Sequence, residues 1–279
     1  MSISMLAGAE RPDHPLSKYA STMHIFCAGC GYGAIAQAVT RVYAERKLDK
    51  MKYVFFTGIG CHSALPTLLP SYTVMTLHGR LPAVVTGAKL ANPELKPICF
   101  CGDGDLLAIG TNHFVHACRR NLDMVLILLH NNVYGMTGGQ SAPTTPTEYK
   151  ATTAPYGYLE KPFDGCELAI ASGATFVSRW TSAHIKQFMN TLNKAIDHRG
   201  LSFIEVVTTC PTYFGRKNKM PEPIDLFRWI RDSAVSIKKA EGMSEEELEG
   251  KFLVGEFQKT ERPDLNTIYK GIIERAQGD

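Results

Sequence analysis

Six consecutive residues, Met124–Leu129, are all apolar. A strand of that kind has no face for water and must be covered on both sides, as in a parallel sheet wrapped by helices. The flanking sequence agrees. Strand-like segments near 52–57, 73–77, 97–101, 174–179 and 202–207 alternate with helical spacing over 33–43, 83–91, 106–118, 164–172 and 182–198. This alternation predicts an α/β fold built on a doubly wound parallel sheet. A chain of 279 residues has room for one such domain with extensions, not for two. The expected division is a binding domain over 1–215 and a C-terminal extension over 216–279. The extension is charged, with helical pieces near 223–240 and 264–276. Its Phe227, Trp229, Ile230, Phe252, Leu253 and Phe257 are too apolar for a solvated tail, so it should pack on the domain or on a partner.

Charge and hydropathy exclude several functions. The net charge is only +3, with no basic run or stripe, so nucleic acid is not an expected partner. No stretch approaches the roughly 20 apolar residues of a membrane helix. The segment MSISMLAGAERPDHP lacks a positive-then-apolar signal pattern. The expected setting is the cytoplasm, away from membranes. Eight cysteines in a reducing compartment are then metal-binding, catalytic or buried rather than disulfide-bonded.

Only Cys27 and Cys30 have a ligand-like spacing, in a segment whose Gly31 and Gly33 allow tight folding. A lone CxxC fits a zinc knuckle, a redox pair or part of an iron–sulfur site. The strand-then-helix context of a thioredoxin motif is missing, and so is the second CxxC usual in structural zinc sites. Cys61 follows Thr57-Gly58-Ile59-Gly60, and Cys210 follows the strand 202–207, so both fall at C-terminal strand ends where α/β proteins build sites. Cys99 and Cys101 share one strand face, and Cys118 and Cys166 lie in helical patterns. These four read as packing.

The strongest local signal is Cys101-Gly102-Asp103-Gly104-Asp105, at a strand end running into a helix. Glycines let the backbone approach a ligand, and a helix N-terminus favours anionic oxygen. This is not the GxGxxG of a dinucleotide turn. An aspartate beside a diphosphate needs a cation between them, and hard Mg²⁺ suits that position. The next strand ends in His130-Asn131-Asn132-Val133. Adjacent parallel strands would bring Asp103, Asn131 and the Val133 carbonyl to one sheet edge as a Mg²⁺ shell. Two ordinary turns, with Asp and Asn in turn roles, are the plainer alternative. The loop 134–160 is long enough to be functional.

GDG, a helix, a strand and then NN is the thiamine diphosphate signature. CAGCGYG (27–33), TGIGC (57–61), HGR (78–80), GDGD (102–105), NNVYGMTGGQ (131–140) and CPTYFGRKN (210–218) occur in that order. Over residues 20 to 220 the chain closely resembles the β subunit of the 2-oxoacid:ferredoxin oxidoreductases, and most of all its 2-oxoglutarate-using members. The resemblance implies a thiamine diphosphate-binding domain with one [4Fe–4S] cluster on Cys27, Cys30, Cys61 and Cys210. It implies Mg²⁺ on Asp103, Asn131 and the Val133 carbonyl. Cofactor contacts would come from Ile59, Gly60, Cys61, His78, Gly102, Gly104, Asp105, Gly135, Met136 and Thr137, with His78 in a catalytic role. The implied reaction is coenzyme A-dependent oxidative decarboxylation of a 2-oxoacid, with electrons leaving through the cluster to ferredoxin. An α subunit would supply the glutamate on the pyrimidine side of the cofactor, and γ and δ subunits belong to some assemblies. Some relatives have Lys where Gly138 stands here, so recognition of a distal carboxylate falls to Arg80 or to the α subunit. Pyruvate or a branched-chain 2-oxoacid is the alternative substrate, and a non-catalytic zinc-binding Rossmann-like subunit is the alternative of a different class. His62, His113, His116 and His130 read as structural.

Overall fold

The computed structural model describes residues 26–69 and 71–278. The N-terminal segment inspected for a signal, and the first residues of the family resemblance, lie outside that range. An eight-stranded sheet runs through the molecule. Its strands are β1 (Phe55–Thr57), β2 (Thr73–Met75), β3 (Ile98–Gly102), β4 (Met124–His130), β7 (Phe176–Thr181), β8 (Leu201–Val207), β9 (Ala234–Ser236) and β10 (Phe252–Lys259). A separate hairpin joins β5 (Val133–Tyr134) to β6 (Gln140–Ser141). The order across the sheet is β2-β1-β3-β4-β8-β7-β10-β9, and every pairing is parallel except β10 on β7. The strand 202–207 lies mid-sheet, between β4 and β7.

The apolar run of β4 is explained by two cores. Val125, Ile127 and Leu129 enter one layer with α1 (Tyr32–Glu45) and α5 (Ile185–Asp197). Met124, Leu126 and Leu128 enter the opposite layer with α2 (Leu81–Ala91), α3 (Thr111–Arg120) and α4 (Gly165–Ala171). Cys99, Cys101, Cys118 and Cys166 all belong to that second core and are essentially inaccessible.

The extension differs from a purely helical arm. It carries α6 (Pro223–Asp232), α7 (Ile237–Ala240), α8 (Glu245–Leu248) and α9 (Leu265–Gly278), but also β9 and β10. β10 continues the main sheet, with Gly255 opposite Arg179 and a bulge between Glu256 and Gln258. The apolar Phe252, Leu253 and Phe257 lie on this strand. Ser244 and Glu247 form a capping box on α8. Among the described residues no helix is long and apolar enough to cross a membrane.

The chain leaves β1 to form β2 on one side, then returns to form β3 on the other. The connection after β1 packs Leu65 and Leu69 into the first core, whereas α2 packs Leu81 and Val85 into the second. A crevice opens beyond the carboxyl ends of strands at such a reversal.

Candidate functional site

That crevice is a cleft of about 200 Å³. Ile59, Gly60, Cys61, His78, Gly102, Asp103, Gly104, Asp105, Asn131, Val133, Gly135, Met136 and Thr137 all line it. Tyr32, His62 and Tyr134 complete the wall; none of the three was singled out from the sequence as a contact. Arg80 is not in the lining, and its guanidinium instead donates to the Ile109 carbonyl at 3.4 Å.

Asp103 is the hub of the strand ends. Its Oδ2 accepts from the backbone N–H of Asn131 at 3.1 Å and of Asn132 at 2.8 Å, and from the Thr144 hydroxyl at 2.7 Å. Among the described residues, its Oδ1 accepts only from the Gly104 N–H at 2.9 Å. A carboxylate has about four lone-pair sites, so Oδ1 retains capacity for a cation. Asn131 Oδ1 accepts one N–H, from Val133, at 3.2 Å, while its amide nitrogen donates to the Tyr32 hydroxyl at 3.1 Å. These donors are hard oxygens beside a backbone stripped of side chains. A Cβ on Gly104 would fall 2.2 Å from the Tyr134 ring, and one on Gly102 would fall 2.9 Å from the His62 ring. The residues therefore fit Mg²⁺ and a diphosphate. Thr144, from the long loop, was a partner of Asp103 that the sequence did not disclose.

Asp105, two residues on, ties three loops together. Its Oδ1 accepts from the Gly79 N–H at 2.6 Å and lies 2.7 Å from His78 Nδ1; its Oδ2 lies 3.2 Å from His62 Nε2. Burial alone would raise its pKa, but His62, the Gly79 N–H and His78 hold it below the ordinary carboxylate range. His78 Nδ1 faces two acceptors, Asp105 Oδ1 and the Ile59 carbonyl at 3.1 Å, so Nδ1 carries the hydrogen. Nε2 is then the nitrogen left for the cleft. His62, read as structural, is in the wall and beside the same carboxylate.

The second cleft, of about 80 Å³, is lined by Cys27, Cys30, Cys61 and Cys210 together with Phe26 and Tyr213. It shares Cys61, Asn131, Gly135 and Met136 with the first. Each thiol is placed by a tight turn. Cys30 donates its N–H to the Cys27 carbonyl at 3.0 Å, Gly60 precedes Cys61 at φ 153°, and a π-helical turn, Pro211–Gly215, follows Cys210. A second π-helical turn, Asp105–Ile109, follows the GDGD loop, where a regular helix was expected; such wide turns recur at functional sites. Burial pushes the Cys30 thiol up to about 12 and Cys61 up to about 11, with the neighbouring cysteines adding to both, and it raises Cys210 as well. No three of the four sulfur atoms lie within 4.8 Å of one another. Tetrahedral zinc, bound at roughly 2.3 Å by each sulfur, would draw them to about 3.8 Å. The wider spacing suits a polynuclear cluster. The one tight triad of ligand-type residues among those described, Asp164, Cys166 and Glu205, is filled by Arg179, which donates to Asp164 Oδ1 at 2.6 Å and to Glu205 Oε2 at 2.9 Å.

A buried ionic chain braces the Asp103 side of the first cleft. His130 Nδ1 is 2.6 Å from Glu205 Oε1, and its Nε2 is 2.7 Å from Asn132 Oδ1. Burial alone would lower the His130 pKa, but Glu205 raises it. His130 is thus structural in a specific sense: it connects the Asn131-Asn132 turn to the sheet interior.

Residues 58–206 match the model of the C-terminal, thiamine pyrophosphate-binding domain of thiamine pyrophosphate enzymes. A 2-oxoglutarate synthase subunit KorB from Methanocaldococcus jannaschii is 45% identical over 269 residues, covering 95% of this chain and 100% of the relative. A 2-oxoacid:ferredoxin oxidoreductase subunit beta from Saccharolobus solfataricus is 43% identical over 190 residues, covering 67% of this chain and 62% of its own. Among solved structures, a 2-oxoglutarate:ferredoxin oxidoreductase from Magnetococcus marinus, with 2-oxoglutarate, coenzyme A and succinyl-CoA bound, superposes with a TM-score of 0.84. It is 32% identical, and the match covers 96% of this chain and 92% of that one.

Proposed function

This chain belongs to the β subunits of the 2-oxoacid:ferredoxin oxidoreductases, and from that premise we propose that it is the diphosphate- and cluster-binding subunit of an enzyme converting 2-oxoglutarate to succinyl-CoA. The reaction takes 2-oxoglutarate and coenzyme A to succinyl-CoA, CO₂, one proton and two electrons, with ferredoxin as acceptor. The observation that carries this reading is the shared wall: Cys61, Asn131, Gly135 and Met136 line both the hard-oxygen cleft and the thiol cleft.

Asp103, Asn131 and the Val133 carbonyl would hold Mg²⁺, and Cys27, Cys30, Cys61 and Cys210 a [4Fe–4S] cluster. Bound thiamine diphosphate supplies the carbon nucleophile and electron sink, and the cluster supplies one-electron capacity. The chain's own residues do the rest. Gly102 and Gly104 leave the backbone open to phosphate. Asp105 fixes His78, whose Nε2 can exchange a proton at the cleft. Ile59, Met136 and Tyr134 give the wall its apolar surface. Among the described residues the lining holds neither lysine nor arginine, and we assign the cation for the distal carboxylate to the α subunit. The same α subunit supplies the pyrimidine-side glutamate. The segment 216–279 extends the sheet and offers that subunit a packing face, with the exposed Ile268, Tyr269, Ile272 and Ile273 of α9 on it.

The test is anaerobic copurification with the α subunit, followed by reduction of a low-potential acceptor with a panel of 2-oxoacids and coenzyme A. Expected are brown absorption, iron and sulfide, and preference for 2-oxoglutarate. Preference for pyruvate would overturn the substrate, and a colourless zinc protein would overturn the reaction.

A further inference from the structure

Beside the thiol cleft the structure gathers four cations. Arg216, Lys217 and Lys219 follow the turn Pro211–Gly215, and Lys150 joins them through Asn218. Asn218 Oδ1 accepts from the Lys150 N–H at 2.8 Å, and its amide nitrogen donates to the Lys150 carbonyl at 3.0 Å and the Phe214 carbonyl at 2.9 Å. All four cations are exposed, and none forms an ion pair within 4.0 Å among the described residues. The carboxylates nearest along the chain, Glu148 and Glu222, pair with none of them, and Asp225 is held by Arg228. In a chain of net charge +3, four unpaired cations against the two neighbouring glutamates leave this a locally positive patch.

The patch is rigidly mounted. Tyr149 stacks on Phe214 with ring centroids 5.4 Å apart and planes at 7°, and both rings meet Trp229 at 5.6 Å. It is also continuous with the mouth of the thiol cleft. Cys27 is exposed, and a Cβ on Gly29 would strike Pro223 at 2.3 Å, so the CxxC loop lies against the start of α6, four residues beyond Lys219. Arg216 stands one wide turn beyond Cys210, on the order of 10 Å along the chain axis.

We propose that Lys150, Arg216, Lys217 and Lys219 form the docking surface for a small acidic iron–sulfur protein that collects electrons at the mouth of the cysteine cleft. The proposal rests on the function given above and adds where the electron carrier binds. Surface cations of this kind act by steering a partner of opposite charge, an effect that salt screens. Fixed on an aromatic base, they also set the partner's orientation.

The experiment uses the anaerobic complex with its α subunit and a purified acidic ferredoxin in the oxidised state, with binding read by surface plasmon resonance. Arg216→Glu, Lys217→Glu and Lys219→Glu together should raise the Kd at least tenfold at low salt. They should also flatten the steep salt dependence of the unmodified complex. The corresponding Gln substitutions should give an intermediate Kd. Reduction of methyl viologen by the reversed-charge complex should match that of the unmodified one, and so should its KM for coenzyme A. An unchanged Kd would overturn the docking surface. A raised KM for coenzyme A would assign the patch to that anion, and failure to copurify would assign it to the α interface; either overturns the proposal. Absence of viologen reduction in the unmodified complex would overturn the function itself.

Discussion

On the diphosphate side, Asp103 and Asp105 are held in place by the protein alone: backbone N–H groups, the Thr144 hydroxyl and two imidazoles meet their oxygens at 2.6–3.2 Å. On the thiol side, a few ångströms across a shared wall, three of the four cysteines are pushed toward the neutral thiol and no three sulfurs approach one another closely. The first is organised by the protein's own hydrogen bonds. The second has its positions set by backbone turns but its charge disfavoured by burial, so the group it binds must itself stabilise the thiolates and release their protons. A site that must orient a large organic cofactor gains from preorganisation, whereas one that receives iron can let the metal finish the geometry.

The comparison breaks if the two sites depend on each other. Cys210→Ala removes one of the four proposed cluster ligands and leaves every hydrogen bond of Asp103 and Asp105 intact. Brown absorption and ferredoxin reduction should be abolished, while thiamine diphosphate affinity, read by fluorescence titration with Mg²⁺, stays within about twofold. Loss of cofactor affinity would mean that the thiol side organises the other.

Next in size is a test inside the preorganised cleft. His78→Asn retains an N–H donor for Asp105 and the Ile59 carbonyl but removes Nε2. Proton-transfer groups contribute roughly 10²–10⁴-fold, so turnover should fall at least about a hundredfold with cofactor affinity preserved. Unchanged turnover would reduce His78 to a loop brace.

What could be read beforehand follows the same division. The strand ends were legible because their signals are local: glycines around an aspartate, an apolar β4, paired asparagines. His62 and Thr144 were not, since their carboxylate partners belong to another strand end and the chain gives no period linking them. β10 was hidden for a related reason. Its partner β7 lies far back in sequence, and the bulge at Glu256–Gln258 breaks the alternation that marks a strand. The four packing cysteines were legible because Cys99 and Cys101 share one face of a strand whose other face carries Ile98 and Phe100.

The brace behind the diphosphate side gives a pH test. Burial would raise the Glu205 pKa, but Arg179 and His130 lower it from 4.5 to about 2. Because the folded value lies below the ordinary one, the stabilisation is complete above about pH 4.5 and is lost as pH falls toward 2. The size of the shift corresponds to roughly 3 kcal/mol. Urea unfolding of Glu205→Gln should show a deficit of about that size at neutral pH, narrowing below pH 4.5, with iron content unchanged. A deficit that is constant with pH would assign the loss to packing rather than to charge.

The smallest effect separates the two sets of cysteines. Cys101 is 1% exposed in the second core, and burial with the nearby Asp105 keeps its thiol protonated. As a small buried hydrophobe it contributes packing alone. Cys101→Ala should therefore cost about 1 kcal/mol in urea unfolding, a typical value for a core truncation of this size, and leave iron, sulfide and ferredoxin reduction at unmodified levels. Any fall in iron content would place Cys101 in communication with the cluster and end the division of the eight thiols into four ligands and four packing residues.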